Sequence, residues 1–275
     1  MAESLNQSPP DPYVHGHQES VLRTHARRTV DNSAAYLRPH LRADQTLLDV
    51  GCGPGTITIE LAAIVSPGEV IGIDAGQSVI GEANALLAKP DSPQNCRFQR
   101  GDVYALDFDD DSFAVVHAHQ VLQHLTDPVR ALREMRRVLE PGGVLAVRDA
   151  DYGAMTWTPR EPGLDRWMEL HHTIADHHGT QPDAGRHLLG WVRAAGFTDI
   201  EPGSSTWTFA TPETRAWWAT QWADRVRESS FASHALELGL SDTEELRHIA
   251  ESWHTWLEQP DGWFMVPHGE AIARL

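Results

Sequence analysis

A glycine-rich turn between a buried strand and a helix is the feature that most constrains how this chain folds. The apolar run at 47–50 is typical of a strand buried on both faces, and it ends in three alternating glycines, Gly51, Gly53 and Gly55. The apolar positions after Thr56 predict a helix that leaves this turn. Glycine is needed where the backbone takes a positive φ or approaches a ligand closely, so this arrangement predicts a bound cofactor.

The spacing of the glycines and one acidic residue restrict which cofactor that is. A dinucleotide fingerprint places its third glycine three residues after the second, but Thr56 occupies that position here. Asp49 lies at the end of the strand, where a carboxylate would repel a pyrophosphate but could take part in holding an ammonium group. The pattern therefore favours a cationic ligand that carries an amino acid, such as S-adenosylmethionine.

The second strand is predicted for 70–74 and ends in an acid, Asp74. A carboxylate at this place can accept both ribose hydroxyls of an adenosine in the crevice outside the strand ends. Asp74 could instead cap the helix predicted for 75–89. Gln77, one helical turn further on, is placed to touch the same sugar or only solvent.

The third and fourth strands also lead into polar residues. A third strand over 96–100 precedes Asp102, which the neighbouring Gly101 also makes a candidate turn residue. A fourth strand over 112–117 leads to His119 and Gln120. The carboxyl end of such a strand faces both cofactor and substrate, so His119 is the main catalytic candidate.

These motifs, with the run Arg137–Leu145 around Glu140-Pro141-Gly142-Gly143, resemble class I S-adenosylmethionine-dependent methyltransferases. The late run is closest in style to the ubiquinone and menaquinone C-methyltransferase branch. The resemblance covers residues 47–147 and extends loosely to the flanks. It implies an α/β, doubly wound, Rossmann-like fold with a seven-stranded, mostly parallel sheet and an antiparallel last strand.

The resemblance also implies roles for individual residues. In such enzymes an acid after the third strand accepts the adenine amine, the next apolar residue lies against the ring, and an N-terminal helix brings an aromatic residue and sometimes an arginine to the cofactor. His119 is expected to act as general base, or else only to line the pocket. The expected cofactor contacts are Tyr13, Arg28, Asp49, Gly51, Cys52, Gly53, Gly55, Asp74, Ala75, Gln77, Asp102, Val103, His119 and Gln120.

The chain is expected to divide into four parts. A polar tail spans 1–12, lid helices span 13–45, the cofactor-binding core spans 46–211 and 260–275, and a helical insertion spans 212–259. The last strand is predicted near 263–273, where Pro267 and Gly269 indicate a bulge.

Composition excludes several classes of partner. A formal net charge of −17 disfavours nucleic acid, because a polyanion would be repelled. No apolar run is long enough to cross a membrane, and the N-terminus does not resemble a signal peptide. Two cysteines fit a reducing cytoplasm, where we expect a monomer or homodimer that acts on a small molecule.

All ten tryptophans lie between Trp157 and Trp263, within the part expected to cover the site. They predict either a partly aromatic pocket for an apolar or ring-containing acceptor, or simply a core. Four histidines at 171–178 invite a metal hypothesis, but nothing makes three ligands converge. We therefore expect no metal.

The sequence favours methyl transfer to a small metabolite and leaves two alternatives open. The same fold can serve a reaction without methyl transfer, such as a cyclisation. A protein that only binds a ligand or partner through its tryptophan-rich half is the other alternative.

Overall fold

Eight strands form one sheet in the computed structural model, which describes residues 27–275. The strands are β1 (Leu47–Val50), β2 (Val70–Asp74), β3 (Cys96–Arg100), β4 (Phe113–His119), β5 (Leu139–Ala150), β6 (Thr156–Thr158), β7 (Asp199–Phe209) and β8 (Trp263–Arg274). β3, β2, β1, β4 and β5 lie side by side in that order, all parallel. Their carboxyl ends therefore meet at one edge of the sheet, which we call the carboxyl edge.

Helices connect the strands. The α-helices are α1 (Val30–Ser33), α2 (Thr56–Val65), α3 (Gln77–Leu87), α4 (Pro128–Arg137), α5 (Pro162–His178), α6 (Ala184–Ala194), α7 (Pro212–Glu228), α8 (Ser230–Glu237) and α9 (Thr243–Leu257). Short 3₁₀ helices span Arg38–His40, Leu122–His124 and Tyr152–Ala154. As expected, α4 begins at the Asp127-Pro128 pair, where the Asp127 carboxylate accepts the Arg130 N–H at 3.0 Å.

Alternate side chains of β1 point to opposite faces of the sheet, and both faces are covered. Leu47 packs with α2, α3 and the segment that follows Val30, whereas Leu48 and Val50 pack with α4 and α6. All four residues of β1 are consequently buried. This burial explains why the strand reads as a continuous apolar run interrupted only by Asp49.

The last strand, β8, is antiparallel, as expected. Along one edge it pairs with β7, and along the other it pairs first with β6 and then with β5. The sheet thus has eight strands where seven were expected, because the three residues of β6 continue the edge that β5 leaves open. Three residues are too few for a period-two pattern to reveal the strand in the sequence.

The expected bulge in β8 is wrong, since β7 and β8 keep one register from Asp199–Arg274 to Phe209–Phe264. The Pro267 carbonyl accepts the Asp151 N–H at 3.0 Å, so the proline nitrogen also faces the gap between β5 and β6. No bond between β7 and β8 is lost there. A Cβ at Gly269 would lie 2.0 Å from the Gly185 carbonyl oxygen, so this glycine permits close packing of α6.

The predicted lid helices fall mostly outside the described residues. Their described part contains α1, which Thr29 and Asn32 cap reciprocally, and the 3₁₀ helix that contains Pro39. The segment 212–259 is helical as expected, since α7, α8 and α9 fill it. The division of the chain into core, lid and insertion remains a prediction.

Candidate functional site

The glycine turn takes the conformation that its sequence requires. Gly51, Gly53 and Gly55 have φ values of 67°, 55° and 83°, a region that other residues rarely adopt. A Cβ at Gly51 would lie 2.4 Å from Val121 Cγ2, so the turn also passes close to the segment after β4. Cys52 between them is buried, and burial raises the pKa of its thiol well above the usual value, which makes it unreactive. The Cys52, Gly53 and Gly55 N–H groups donate to Ile73, Asp74 and Cys52, so they hold the shape of the turn, which contains no nucleophile.

Asp49 lies beneath this turn and bonds to protein groups. One carboxylate oxygen accepts the His117 Nδ1–H at 2.7 Å, and the other accepts the Thr58 hydroxyl. Asp49 is 3% exposed and His117 is fully buried. The three residues tie β1, α2 and β4 together, and these two bonds hold the Asp49 carboxylate beneath the turn. Its expected role as a cofactor contact remains a prediction.

Asp74 at the end of β2 aims both carboxylate oxygens at the glycine turn and at the start of α3. Oδ2 accepts the Gly53 N–H at 3.1 Å, and Oδ1 accepts the Gly76 N–H at 2.9 Å. Ala75 and Gln77 follow as exposed residues at the same edge. The alternative that Asp74 caps this helix is wrong, because Gly76 is the N-cap residue and no side chain caps α3. A ribose contact stays compatible with the two bonds, because a partly exposed carboxylate has further lone pairs.

Asp102 follows β3 at the same edge and forms a turn. Its Oδ1 accepts the Tyr104 N–H at 2.9 Å, and its side chain is exposed beside the half-buried Val103. Asp102 is thus a turn residue, and the adenine contacts expected of Asp102 and Val103 remain predictions.

His119 is the last residue of β4 and is 4% exposed. Neither ring nitrogen has a hydrogen-bond partner among residues 27–275. Burial, and then the nearby Arg28 and Arg148, lower the pKa of His119 well below its usual value. The imidazole is consequently neutral near pH 7, with one donor and one acceptor available.

Gln120 connects His119 to the N-terminal segment and to β8. Its amide oxygen accepts a bond from Arg28 Nη2, and its amide nitrogen lies 2.9 Å from His268 Nε2. Its φ of 54° turns the chain at the end of β4. Arg28 and Gln120, both predicted site residues, are therefore brought together with His119. Tyr13 lies outside the described residues.

A row of polar side chains, buried in β4 and β5 and half-buried in β8 and β7, runs from His119 across the sheet. Arg148 is 1% exposed, and its Nε donates to Ser205 Oγ at 3.0 Å and to Glu270 Oε1 at 3.1 Å. The Ser205 hydroxyl donates to the same Glu270 oxygen. His119 pairs with Arg148 in the β4–β5 register, and Arg148 pairs with Glu270 in the β5–β8 register. We call these four residues the polar row.

Trp207 lies over the polar row. Its ring centre is 5.9 Å from the His119 ring and 5.1 Å from the Arg148 guanidinium carbon. Its indole N–H donates to the Asn32 carbonyl at 2.6 Å, which fixes α1 over this face. Trp207 is thus the tryptophan that contributes an aromatic surface beside His119.

Most other tryptophans form a core. Six tryptophans pack with Phe264 in what we call the aromatic cluster: Trp157, Trp167, Trp218, Trp222, Trp253 and Trp256. Each of the six is at most 5% exposed. At its centre the Trp167 ring lies 4.5 Å from Trp222 and 5.1 Å from Trp253, edge to face. The aromatic cluster therefore takes the alternative of core packing, and an aromatic pocket at Trp207 remains a prediction.

The histidines of α5 point in different directions. His171 is buried and stacks on Tyr152 at 4.1 Å, His172 bonds to Asp183 at 2.9 Å, and His178 lies 3.2 Å from a nitrogen of His234. In the described part of the chain, no three histidine, cysteine or acidic side chains converge as metal ligands. No helix within residues 27–275 is long and apolar enough to span a membrane.

The residues that sequence reasoning missed lie in β5, β7 and β8. Arg148 follows the apolar run Val144–Val147, and an arginine at the end of a buried strand was a usable signal. His268 lies between Pro267 and Gly269, the two residues that predicted a bulge, and gave no separate signal. Ser205 and Glu270 gave no signal, because their role depends on strand pairing between distant segments.

Comparison with known proteins identifies a family and several relatives. The methyltransferase domain family matches residues 41–196. Over 270 residues the chain is 36% identical to an uncharacterised methyltransferase of Schizosaccharomyces pombe, covering 95% of this chain and 96% of the relative. Over 125 residues it is 34% identical to the 2-phytyl-1,4-naphtoquinone methyltransferase of Synechococcus elongatus, covering 44% of this chain and 54% of the relative.

A solved structure shares the fold. Phosphoethanolamine N-methyltransferase 2 of Haemonchus contortus, in complex with S-adenosyl-L-methionine, superposes with a TM-score of 0.56 at 17% sequence identity. The match covers 88% of this chain and 51% of the other chain.

Proposed function

Because the chain belongs to the methyltransferase domain family and is an S-adenosylmethionine-dependent methyltransferase, we propose that it methylates a small molecule at the carboxyl edge of its sheet. The single observation that carries this proposal is the meeting of the Gly51–Gly55 turn, Asp74 and His119 at that edge. The strongly acidic chain also favours a small acceptor over nucleic acid.

The residues present fit the cofactor. The turn has three glycines at positive φ. Asp74 lies beside it and has lone pairs available for ribose hydroxyls. Arg28 donates to the Gln120 amide oxygen, and its positive charge suits a carboxylate. When bound, S-adenosylmethionine supplies an electrophilic sulfonium methyl. The protein then needs to hold the acceptor in line with that methyl and exclude water, which are the main contributions expected in such a transfer.

We further propose that His119 serves as the general base when the acceptor carries a removable proton. Its neutral imidazole has a nitrogen with no protein partner among the described residues, at the end of the strand that faces the reacting groups. The lowered pKa makes it a weak base that stays in the active, neutral form well below pH 6.5. If His119 only positioned the acceptor, the acceptor would have to lose this proton to solvent.

The finer proposal is that the acceptor contains a ring. Its support is Trp207 alone, since the aromatic cluster is core. Stacking one ring against an indole contributes about 0.5–1.5 kcal/mol beyond burial, enough to favour a ring over a small polar acceptor.

The test is S-adenosylhomocysteine formation against a panel of small acceptors, with His119→Ala and His119→Gln compared. We expect turnover in His119→Ala to fall by about 10²–10⁴-fold while S-adenosylhomocysteine affinity in calorimetry stays nearly unchanged. The acidic limb of the pH profile, which the lowered pKa of His119 places well below pH 6.5, should disappear with the imidazole.

Two outcomes would count against these proposals separately. Unaltered turnover and pH profile in His119→Ala would leave His119 as a pocket-lining residue. Conversion of an acceptor without S-adenosylhomocysteine release would point to a reaction other than methyl transfer, and binding without any conversion would point to a ligand-binding protein.

A further inference from the structure

The polar row contains buried hydrogen-bond donors that nothing in the described chain accepts from. Arg148 Nη1 is buried and has no hydrogen-bond partner among residues 27–275, although the side chain is only 1% exposed. Both ring nitrogens of the neighbouring His119 are likewise buried without a hydrogen-bond partner among these residues. A buried donor left unsatisfied costs free energy, and a charged one costs more, so such a pair of side chains indicates a missing acceptor atom.

Two nearby carboxylates are already committed. Glu270 uses one oxygen for both Arg148 Nε and the Ser205 hydroxyl, and Asp49 is held by His117 and Thr58. Asp149 has a buried Oδ2 with no partner among residues 27–275, but it follows Arg148 in β5 and therefore points to the opposite face of the sheet, where its Oδ1 accepts the Gln123 N–H at 3.1 Å. Burial raises the pKa of Asp149 to about 7, so this carboxyl carries only part of a charge at neutral pH.

The position of Arg148 separates it from the expected place of the cofactor's own carboxylate. Arg148 is on β5, two strands away from the glycine turn after β1, and neighbouring strands lie about 4.8 Å apart. Arg28 bonds to Gln120 at the end of β4 and is therefore better placed for the cofactor. A ligand group that reaches Arg148 lies beyond the methionine moiety, on the acceptor side of His119.

Resting on the proposed methyl transfer, we propose that Arg148 Nη1 and the His119 imidazole bind an oxyanion of the methyl acceptor under the face of Trp207. The shared chemistry is a delocalised anionic oxygen, either a carboxylate or an ionised phenol or enol. A guanidinium donor and a neutral imidazole N–H suit such a group, and the indole beside them suits the ring that bears it. Arg148 is then the residue that selects an anionic acceptor.

Calorimetry with benzoate and its neutral counterpart benzamide tests this, on protein saturated with S-adenosylhomocysteine. We expect benzoate to bind at least about tenfold more tightly than benzamide, and Arg148→Met to abolish the difference. Glu270→Gln removes the competing carboxylate and should tighten benzoate binding several-fold. A merely structural role for the polar row predicts no such gain, so this variant keeps the test decisive if Arg148→Met folds poorly.

The chain offers a matched control. Arg160 lies over Trp157 at 5.3 Å, much as Arg148 lies over Trp207, but its side chain is 72% exposed and paired with Asp165. Arg160→Met should leave benzoate binding unchanged. A parallel pair, 4-nitrophenolate against nitrobenzene, distinguishes the sources: preference for benzoate alone indicates a carboxylate acceptor, and preference for the phenolate alone indicates an ionised hydroxyl.

Three results would overturn the proposal. These are equal affinity for the anionic and neutral members of both pairs, equal benzoate affinity in wild type and in folded Arg148→Met, and benzoate binding only to protein free of S-adenosylhomocysteine. The last result would mean that the oxyanion site is the cofactor's own. Failure of S-adenosylhomocysteine itself to bind would count against the proposed function instead, since its affinity is measured first in the same experiment.

Discussion

The side chains of the polar row and those of the aromatic cluster are held in place by different forces. Arg148, Glu270 and Ser205 are joined by directed bonds, whereas Trp167 and Trp253 are held by ring packing. Charged groups tolerate burial only when they are paired, and unpaired donors remain at Arg148 and His119. Indole rings gain free energy from burial alone. The unpaired donors of the polar row support the ligand site proposed above, whereas the aromatic cluster shows only core packing.

Substitution at the glycine turn should give the largest effect on binding, and this effect should fall entirely on the site side of the comparison. Gly53→Val places a branched side chain at a φ of 55° and disturbs the N–H that bonds Asp74, so S-adenosylhomocysteine affinity should fall by more than about 100-fold in calorimetry. Gly142→Val is the control, since Gly142 has a φ of 82° with open space around its Cα. It should cost stability without changing the affinity. Wild-type affinity in Gly53→Val would remove the turn from the site.

Two tryptophan substitutions sharpen the comparison directly. Trp167→Ala should lower the free energy of unfolding by about 3–5 kcal/mol in urea titrations, because a fully buried ring leaves a large cavity. Trp207→Ala should cost about 1 kcal/mol, because this ring is only half-buried, yet it should weaken binding of ring-containing acceptors. A large loss of stability in Trp207→Ala with unchanged acceptor preference would make Trp207 another core residue.

Buried histidines in both regions should make the stability of the protein depend on pH. Burial lowers the pKa of His119 and His268 near the polar row and of His171 in the tryptophan-rich half well below the usual value. Below about pH 6.5 the unfolded chain takes up protons that these folded imidazoles do not, so each lowers the free energy of unfolding by up to about 1.4 kcal/mol per pH unit. Asp149 has the opposite sign, because its folded pKa of about 7 exceeds the unfolded value near 3.9.

We therefore expect stability to fall between about pH 7.5 and 5.5, with three imidazoles outweighing one carboxyl. His171→Phe, which keeps the stack on Tyr152, should flatten the slope, and Asp149→Asn should steepen it. Urea unfolding at both pH values measures this. An identical slope in all three proteins would mean that these groups do not titrate differently on folding.

Chelation should have the smallest effect, namely none. The histidines of α5 diverge towards Tyr152, Asp183 and His234, so neither stability nor turnover should change in excess chelator. Activity that is lost in chelator and restored by magnesium or zinc would contradict this expectation.

Local signals predicted the cofactor half of the molecule well. The glycine turn, the ends of β2 and β3 and the start of α4 depend on residues only a few positions apart, and the structure has each of them where the sequence placed it. The resemblance to methyltransferases, including the quinone branch, is confirmed by the family match and the relatives. The individual cofactor contacts and the catalytic role of His119 remain predictions.

The acceptor side could not be predicted in the same way. Arg148 meets Glu270 across 122 positions of sequence, and Ser205 reaches both only because β7 pairs with the antiparallel β8. No pattern within one strand encodes such a contact. The tryptophans illustrate the same limit, since Trp207 and Trp218 look alike in sequence and differ only in what packs against them.

What the sequence by itself determined was the fold class and the conformation of the glycine turn, because backbone conformation and strand burial follow from short-range residue patterns. What only the tertiary structure decided was which polar side chains meet at His119 and which tryptophans stay in the core. Those choices follow from the return of β8 between β5 and β7, which brings residues from distant segments within hydrogen-bond distance.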